Sequence, residues 1–396
     1  LAAIESLPER TTHRPGTASR CPIAVVGASA AGLYTAWLLA RHGMPVSIFE
    51  QAPALDPEPR TLIVTREMLE LLGPLGEASL LRPVHRFEIQ AGGRTLCVPL
   101  EQPDWVIERA KLITALAEHA LAAGAELRLG WRFVGLETVA DRAIRLKFAR
   151  RDSGEGESVE SHIVIGADGA ASRLAQAAGW SRPQTALLLQ AVVSLPENYP
   201  NDTVRVWFLP EQTPYFFWLI PADAGQGVLG LIAETGAQAR TALLHVLEQL
   251  ELKPLAYQGG QVPLYTGWVP VHRRLGACDV YLVGDAAAQV KVSTVGGVVT
   301  GFRGARAVAA AIVSGNGHRE LHALRRELNV HLWLRRVLHQ FDGDDYGRLL
   351  ELLNERSRLW LGRCHRDRAT LLLRRLCWNQ PRLLWLALRA LLGAGR

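Results

Sequence analysis

Apolar and polar positions along the chain fall into two periods, and the first switch between them comes early. PIAVVG (22–27) is a short apolar run, ASAAG a turn of small residues, LYTAWLLARHG an apolar stretch of helical length, and MPVSIFEQ a second apolar run. Gly43 stands where a helix end favours a left-handed residue, and the second run follows at once. The pattern predicts strand, Gly-bearing turn, helix and strand, a βαβ unit.

Further along, 52–59 is a Pro-rich loop and 68–75 a short helix. Ile107 to Ala123 carries Leu112, Ala115, Leu116, His119 and Ala120 near helical spacing, with Gly124 closing it, and predicts an amphipathic helix. AELRLG and AIRLKFAR predict strands, the latter ended by the polar turn DSGEGE, and SHIVIGADG predicts another that runs into a second Gly-rich corner. Between 186 and 234 the period becomes that of short strands (LLLQAVVSL, TVRVWFL, YFFWLIP, GVLGLIAE) broken by Pro, Asn, Asp and Gly. A helix is expected over 238–250 and a helical tail over 321–392. Residues 1–20, with Pro8, Pro15 and Gly16, read as a flexible lead-in without the apolar core of a secretory signal.

Composition narrows the class. With 48% hydrophobic and 21% charged residues over 396 positions, the chain is a folded protein of one large or two interleaved domains. Five cysteines without a CxxC pair argue against a disulfide framework and a zinc site, so no metal is expected and a reducing cytoplasm fits. No apolar run reaches the roughly 18 to 20 residues that cross a bilayer. The net charge of +6 is concentrated in the tail: from His318 onward there are 16 Arg, no Lys and 8 acidic residues. No nucleic-acid module accompanies that basicity, which argues against a nucleic-acid partner.

Three corners carry candidate chemistry. GASAAG (27–32) follows a strand and opens a helix, the context of a dinucleotide fingerprint: Gly27 permits the tight turn, Gly32 lets helix and strand pack closely, and free N–H groups at the helix start suit a pyrophosphate. Ser29 stands where a middle Gly is expected; it crowds the phosphate approach but can donate to it. Glu50 ends the second strand, 18 residues after Gly32, where an acid would accept from ribose hydroxyls. The second corner is GADGAASRL (166–174), with Asp168 and Gly169, which could equally be a plain turn. The third is VYLVGDAAAQVKVSTVGGVVTGF (280–302), where Gly284 and Asp285 end an apolar strand. A desolvated Asp285 needs donors to stay ionised, which a ribityl chain supplies, unless the residue caps its own turn. A helix beginning near Gly296 and Gly297 would set positive backbone charge beside a flavin ring.

The ordered set GxSxxG with Glu50, then GADGxxS, then GDAAxQVKxSTxGG resembles FAD-dependent proteins of the aromatic-hydroxylase-like fold, most closely the geranylgeranyl reductase family, from about Cys21 to about Leu392. The resemblance implies an α/β fold with a Rossmann-like FAD-binding domain of the glutathione-reductase-2 type, interleaved with a β-rich substrate domain and followed by a helical region. On that reading, 21–185 and 275–320 bind FAD, with 61–105 contributing in part to the substrate domain; 186–274 form the substrate sheet and 321–396 the C-terminal helices. It further implies that Gly27, Ser29 and Gly32 contact the pyrophosphate, Glu50 the adenosine ribose, Arg109 the cofactor from the start of the long helix, and Asp285 with Gly284 the ribityl chain. Asp168 and Gly169 match the shared Asp-Gly element, and Gly296 with Gly297 the flavin-facing helix start. The chain departs from some family members in having no Cys between Glu50 and Phe87.

YFFWLIP is similar to the aromatic strand motif of the reductases, so Trp207, Phe217 and Trp218 are expected to floor an apolar cavity; a core-packing role is the competing reading. The implied reaction is hydride transfer from reduced flavin to a carbon–carbon double bond of a hydrophobic, polyprenyl-like substrate. The alternative is hydroxylation of an aromatic or polyketide substrate by a flavin monooxygenase. Halogenation ranks lower, because 51–110 lacks a Lys, and so does a non-enzymatic flavin binder. No catalytic residue or proton donor is assigned. No second Gly-rich βα turn appears, so the electron donor could be transiently bound NAD(P)H, a ferredoxin or a quinol. LLLRRLCWNQPRLLWLALRALL (371–392) mixes Leu, Trp and Arg as a helix lying on an anionic membrane does, which would make the protein peripheral at the inner membrane surface. The competing reading packs these Leu and Trp on the flavin domain.

Overall fold

A computed structural model describes residues 19–139, 143–223, 225–364 and 366–393; the expected lead-in lies outside the described residues except for its last two. In chain order, β1 (Ser19–Arg20), β2 (Ile23–Val26), α1 (Ala30–Arg41) and β3 (Val46–Glu50) come first, then β4 (Thr61–Val64), α2 (Glu67–Leu72) and α3 (Pro74–Glu77). A long hairpin, β5 (Leu80–Ala91) and β6 (Arg94–Glu108), leads to α4 (Arg109–Ala122) and β7 (Glu126–Leu129). β8 (Trp131–Val139), β9 (Ala143–Arg150), β10 (Gly156–Ser161), β11 (Ile163–Gly166) and α5 (Arg173–Ala177) follow. The second half begins with β12 (Thr185–Ser194), β13 (Thr203–Trp207), β14 (Phe217–Pro221), β15 (Gln226–Ala233), α6 (Gly236–Gln249), β16 (Pro254–Pro263), β17 (His272–Leu275) and β18 (Cys278–Leu282). A 3-10 turn (Gly284–Ala287) then precedes α7 (Val298–Ser314), α8 (His318–Leu338), α9 (Gly343–Leu352), α10 (Glu355–Arg363), α11 (Ala369–Asn379) and α12 (Arg382–Gly393).

β17-β18-β11-β2-β3-β7 form one sheet, parallel except at β17. Its central strand β2 is buried on both faces, which is why IAVV is apolar throughout rather than alternating. The ladder aligns three strand ends: Val26 lies opposite Gly166, and Gly166 opposite Leu282. The three Gly-rich corners therefore leave the sheet at one level, at its carboxyl edge. This is where parallel α/β sheets open a ligand crevice. α1 packs between α4 and α7, with Tyr34 edge-on to Phe302 at 5.1 Å.

Eight strands in the order β16-β12-β15-β14-β13-β5-β6-β4 form the second sheet, so 61–108 supply three strands to it. α6 covers one face through Ala239, Leu243, Val246 and Leu247. The other face looks into a cavity and meets Val337, Tyr346, Leu350, Leu376 and Leu386 from the C-terminal helices. Those helices thus pack chiefly on the β-rich half rather than on the flavin half. A four-stranded sheet, β1-β10-β9-β8, completes the fold.

Local differences from expectation have identifiable causes. The helix expected over 68–75 breaks into α2 and α3 at Gly73, whose φ of 59° no continuous helix accepts. The helix expected from Ile107 begins at Arg109, because Ile107 and Glu108 pair with Leu62 and Thr61 in the sheet and Glu108 caps the helix by accepting from Ala110 N at 3.1 Å. Residues expected only as the turn DSGEGE lead directly into β10, paired with β9 from Gly156 on.

Candidate functional site

At the first corner Gly27 has φ 101°, and a Cβ there would lie 2.6 Å from Ala167 O. A Cβ on Gly32 would lie 2.5 Å from Gly27 O and 2.7 Å from Ala167 Cβ. Both positions are glycine because the turn, helix α1 and the second corner are in backbone contact. Ser29 is the N-cap of α1: its Oγ accepts from Gly32 N at 3.3 Å, which accounts for Ser in place of Gly and leaves its hydroxyl hydrogen free to donate. Glu50 accepts from Ala28 N at 2.8 Å and Ala52 N at 2.9 Å, fixing the carboxylate beside the turn with lone pairs to spare. A cavity of about 520 Å³ opens here, lined by Gly27, Ser29, Glu50, Arg109, Asp168 and Gly169 together with the cations Arg132 and Arg173.

Asp168 lines that cavity, yet its carboxylate faces inward: it accepts from Ser172 Oγ at 2.5 Å, Arg173 N at 2.7 Å and Leu174 N at 3.1 Å. Burial raises its pKa and these bonds oppose the rise. Asp168 is thus the brace of the second corner, and Gly169, with φ 82° and no atom near a built Cβ, supplies the open surface.

Asp285 neighbours residues of both cavities: Gly297, which lines the next one, and Arg109, which lines this one. A Cβ on Gly297 would be 3.2 Å from its Oδ1, and the charges acting on it are Arg109 and Arg60. It makes no side-chain hydrogen bond among the described residues; burial raises its pKa, while Arg109 and Arg60 lower it. Burial in turn lowers the pKa of both guanidinium groups, and Asp285 opposes this. Gly284, φ 62°, donates its N–H to Gln289 Oε1 at 2.8 Å, and Thr300 Oγ1 donates to Gln289 O at 2.5 Å, so Gln289 locks the turn to α7. Arg60 and Gln289 were not singled out from sequence. Arg60 lies at the end of a Pro-rich loop and is placed by a bond to Gly259 O at 2.6 Å, a partner 199 residues away.

The second cavity, about 480 Å³, begins at Gly296 and Gly297 and runs between the eight-stranded sheet and the C-terminal helices. Leu62, Phe87, Val204, Val206, Phe208, Phe216, Trp218 and Ile220 make much of its wall. Trp218 is on that wall; Trp207 and Phe217 are not, which corrects the expectation for those two. Successive strand residues point to opposite faces, and Val206 pairs with Trp218 while Trp207 pairs with Phe217. Phe217 is therefore fully buried beneath α6, and Trp207 donates to Gln90 Oε1 at 2.9 Å on the same reverse side. Phe208 and Phe216, their rings 6.0 Å apart, take the positions expected of them.

Beneath Gly296 lies a charged knot. Lys291, 7% exposed, is ion-paired with Asp367, which is 1% exposed and also accepts from Thr65 Oγ1. Burial raises the Asp367 pKa, but Lys291, Thr65 and Arg366 outweigh it and bring it down to about 2. Nearby, Ser293 Oγ lies 2.6 Å from His331 Nδ1, and burial brings the His331 pKa down to about 3, so the imidazole is neutral. Lys291 N bonds Gly296 O at 3.1 Å, which closes the loop in front of α7.

A family model described as the FAD binding domain matches residues 20–323. A digeranylgeranylglycerophospholipid reductase of Methanopyrus kandleri is 30% identical over 302 residues, covering 70% of this chain and 73% of that protein. A geranylgeranyl bacteriochlorophyll reductase-like protein of Thermoplasma acidophilum superposes with a TM-score of 0.77 at 18% identity, covering 92% of this chain and 98% of the other. The p-nitrophenol 4-monooxygenase of Pseudomonas putida DLL-E4 shares the fold at a TM-score of 0.62 and 15% identity, over 95% and 98% of the two chains.

Proposed function

The chain belongs to the FAD-binding-domain family and is an FAD-dependent oxidoreductase, and from that premise we propose that it reduces carbon–carbon double bonds of a long apolar, polyprenyl-type substrate. The residues at the sheet edge fit the cofactor. The first turn of α1 offers N–H donors for a pyrophosphate, Arg109, Arg132 and Arg173 balance its charge, Glu50 keeps acceptors for ribose hydroxyls, and Asp285 keeps unpaired oxygens for a polyol. FAD, when bound and reduced, supplies the hydride. The chain's own residues then have three tasks: Gly296 and Gly297 admit a planar ring at the cavity mouth, Phe216 and Trp218 hold an extended apolar chain against it, and the C-terminal helices exclude water.

The observation that carries this reading is the wall of the second cavity. Its side chains are predominantly aliphatic or aromatic from the flavin end onward, and two of the buried polar side chains there are engaged with the protein: Gln190 donates to Gln258 Oε1 at 2.6 Å, and Asp104 is paired with Arg366 at 2.5 Å. Such a cavity suits a hydrocarbon chain better than a phenol that must be oriented by hydrogen bonds. The electron donor is proposed to be a transiently bound nicotinamide or a redox protein.

The decisive experiment is anaerobic. The photoreduced holoprotein, mixed with geranylgeranyl diphosphate, should re-oxidise its flavin while the lipid gains two hydrogens by mass spectrometry. A hydroxylated product formed only with oxygen would select the monooxygenase reading instead.

Peripheral membrane contact is part of the same proposal. No helix among the described residues is long and apolar enough to cross a membrane. α11 and α12 nevertheless expose Leu371, Trp378 (87%), Leu384, Trp385 (64%), Leu388 and Leu392 (72%). Arg374 and Arg382 flank them, and 369–396 contains no acidic residue. Apolar rings framed by guanidinium groups complement an anionic lipid surface. The protein should sediment with phosphatidylglycerol vesicles at low salt, stay in the supernatant with phosphatidylcholine vesicles, and lose binding in a Trp378→Ser/Trp385→Ser variant. Equal recovery in the supernatant with both lipids would refute this contact.

A further inference from the structure

Resting on the polyprenyl reading, we propose that Arg375, with Arg366 and Arg363 beside it, forms a subsite for the phosphate-bearing head of the substrate. Five cations line the apolar cavity: Arg66, Lys291, Arg363, Arg366 and Arg375. Four have a carboxylate partner: Arg66 with Glu70 at 3.1 Å, Lys291 with Asp367, Arg363 with Glu101 at 2.8 Å and Arg366 with Asp104 at 2.5 Å. Among the described residues Arg375 has none. Its guanidinium lies 4.2 Å from the centre of the Trp360 ring, and Nη1 reaches only Cys364 Sγ at 3.5 Å.

A guanidinium facing a largely apolar cavity without a counter-ion is satisfied by an anion that arrives with the ligand. Contact with the Trp360 ring restricts the Arg375 guanidinium, whose planar fork of N–H groups matches two oxygens of a phosphate. Arg366 gives a second, independent sign. Its Nη2 is committed to Asp104, but its Nε is buried and without a partner. An oxyanion between the two arginines would take up that donor as well. Arg363 lines the same side of the cavity on the last turn of α10, and its pair with Glu101 is exposed. All three arginines lie on or between α10 and α11, and α11 also carries the exposed Trp378.

Binding tests this without turnover. Tryptophan fluorescence of the FAD-loaded protein is titrated with geranylgeranyl diphosphate, with the uncharged alcohol geranylgeraniol, and with a geranylgeranylated glycerophospholipid. Wild-type protein should bind the diphosphate about 10-fold or more tightly than the alcohol. Arg375→Gln should remove most of that preference and Arg375→Lys part of it, with melting temperatures recorded for both. Arg375 sensitivity shared by the glycerophospholipid assigns the subsite to lipid heads in general; sensitivity confined to the diphosphate assigns it to the free prenyl ester. The subsite is overturned if wild-type protein binds alcohol and diphosphate alike, or if Arg375→Gln weakens both by the same factor. Tight, Arg375-dependent binding without anaerobic reduction would instead sink the reductase reading and leave the subsite standing.

Discussion

Asp285→Ala should leave a folded protein that has lost most of its flavin. Among the described residues the carboxylate makes no side-chain hydrogen bond; it is held in place by the Gly284–Gln289 lock and faced by Arg60 and Arg109. On the proposed reading, removing it deletes a charged acceptor for the cofactor's hydroxyls, and it leaves two partly desolvated guanidinium groups without the carboxylate between them. Loss of one charge-assisted hydrogen bond weakens binding by about 1.5–3 kcal/mol, roughly 10- to 150-fold. The measurement is the ratio of flavin to protein absorbance after gel filtration, with the dissociation constant from fluorescence on re-addition of FAD. Asp285→Asn keeps the shape, removes the charge and should fall between. Full flavin retention in the Ala variant would show that Asp285 serves only its own turn.

The second large effect is expected at the buried knot. Asp367→Asn strands Lys291 beneath Gly296, and breaking a buried pair from one side typically costs about 3–5 kcal/mol. For a chain of this length that corresponds to a fall in melting temperature of about 4–6 °C. Replacing both partners with apolar residues, Lys291→Met with Asp367→Leu, should recover much of the loss, because desolvation nearly cancels the attraction within an intact pair. The same pair predicts an acid limit. Asp367 is brought down to about 2 from an ordinary value of 3.8, so its contribution is present above pH 4 and disappears as pH falls from about 4 to about 2. Asp367→Asn should therefore flatten the acid limb of a stability profile. An Asp367→Asn protein that melts with the wild type would rule out the knot as a clasp between the C-terminal helices and the loop before α7.

How far these features could be read from sequence depends on the range of the contacts involved. The βαβ opening and the three Gly-rich corners were legible because each is a local pattern, and FAD chemistry is what the resemblance carried by their order implies. The side chains facing the cavity were not. FWLIP is buried on both faces, so its alternation carries no sign of which side is which, and only the pairing of Trp218 with Val206 sets the phase. That is why Trp207 and Phe217 were assigned to the wrong face. β5 and β6 were missed because their cavity-facing Phe87 and Val98 are interleaved with Arg, His, Gln and Pro and resemble an irregular stretch. Arg60 and Asp367 were silent for a different reason: their partners lie 199 and 76 residues away in the chain. A lone charge in a loop has no period to betray it.

The alignment of Val26, Gly166 and Leu282 at one level of the sheet has a consequence for biosynthesis. β18 docks only after 278–282 have been made, and the loop ahead of α7 needs 297 as well, so both segments must emerge before the nucleotide crevice has its third side. The early βαβ segment has an open edge at β2 until β11 pairs with it, and β11 then carries the open edge until β18 arrives, so cofactor capture becomes a late event of maturation rather than a seed for it.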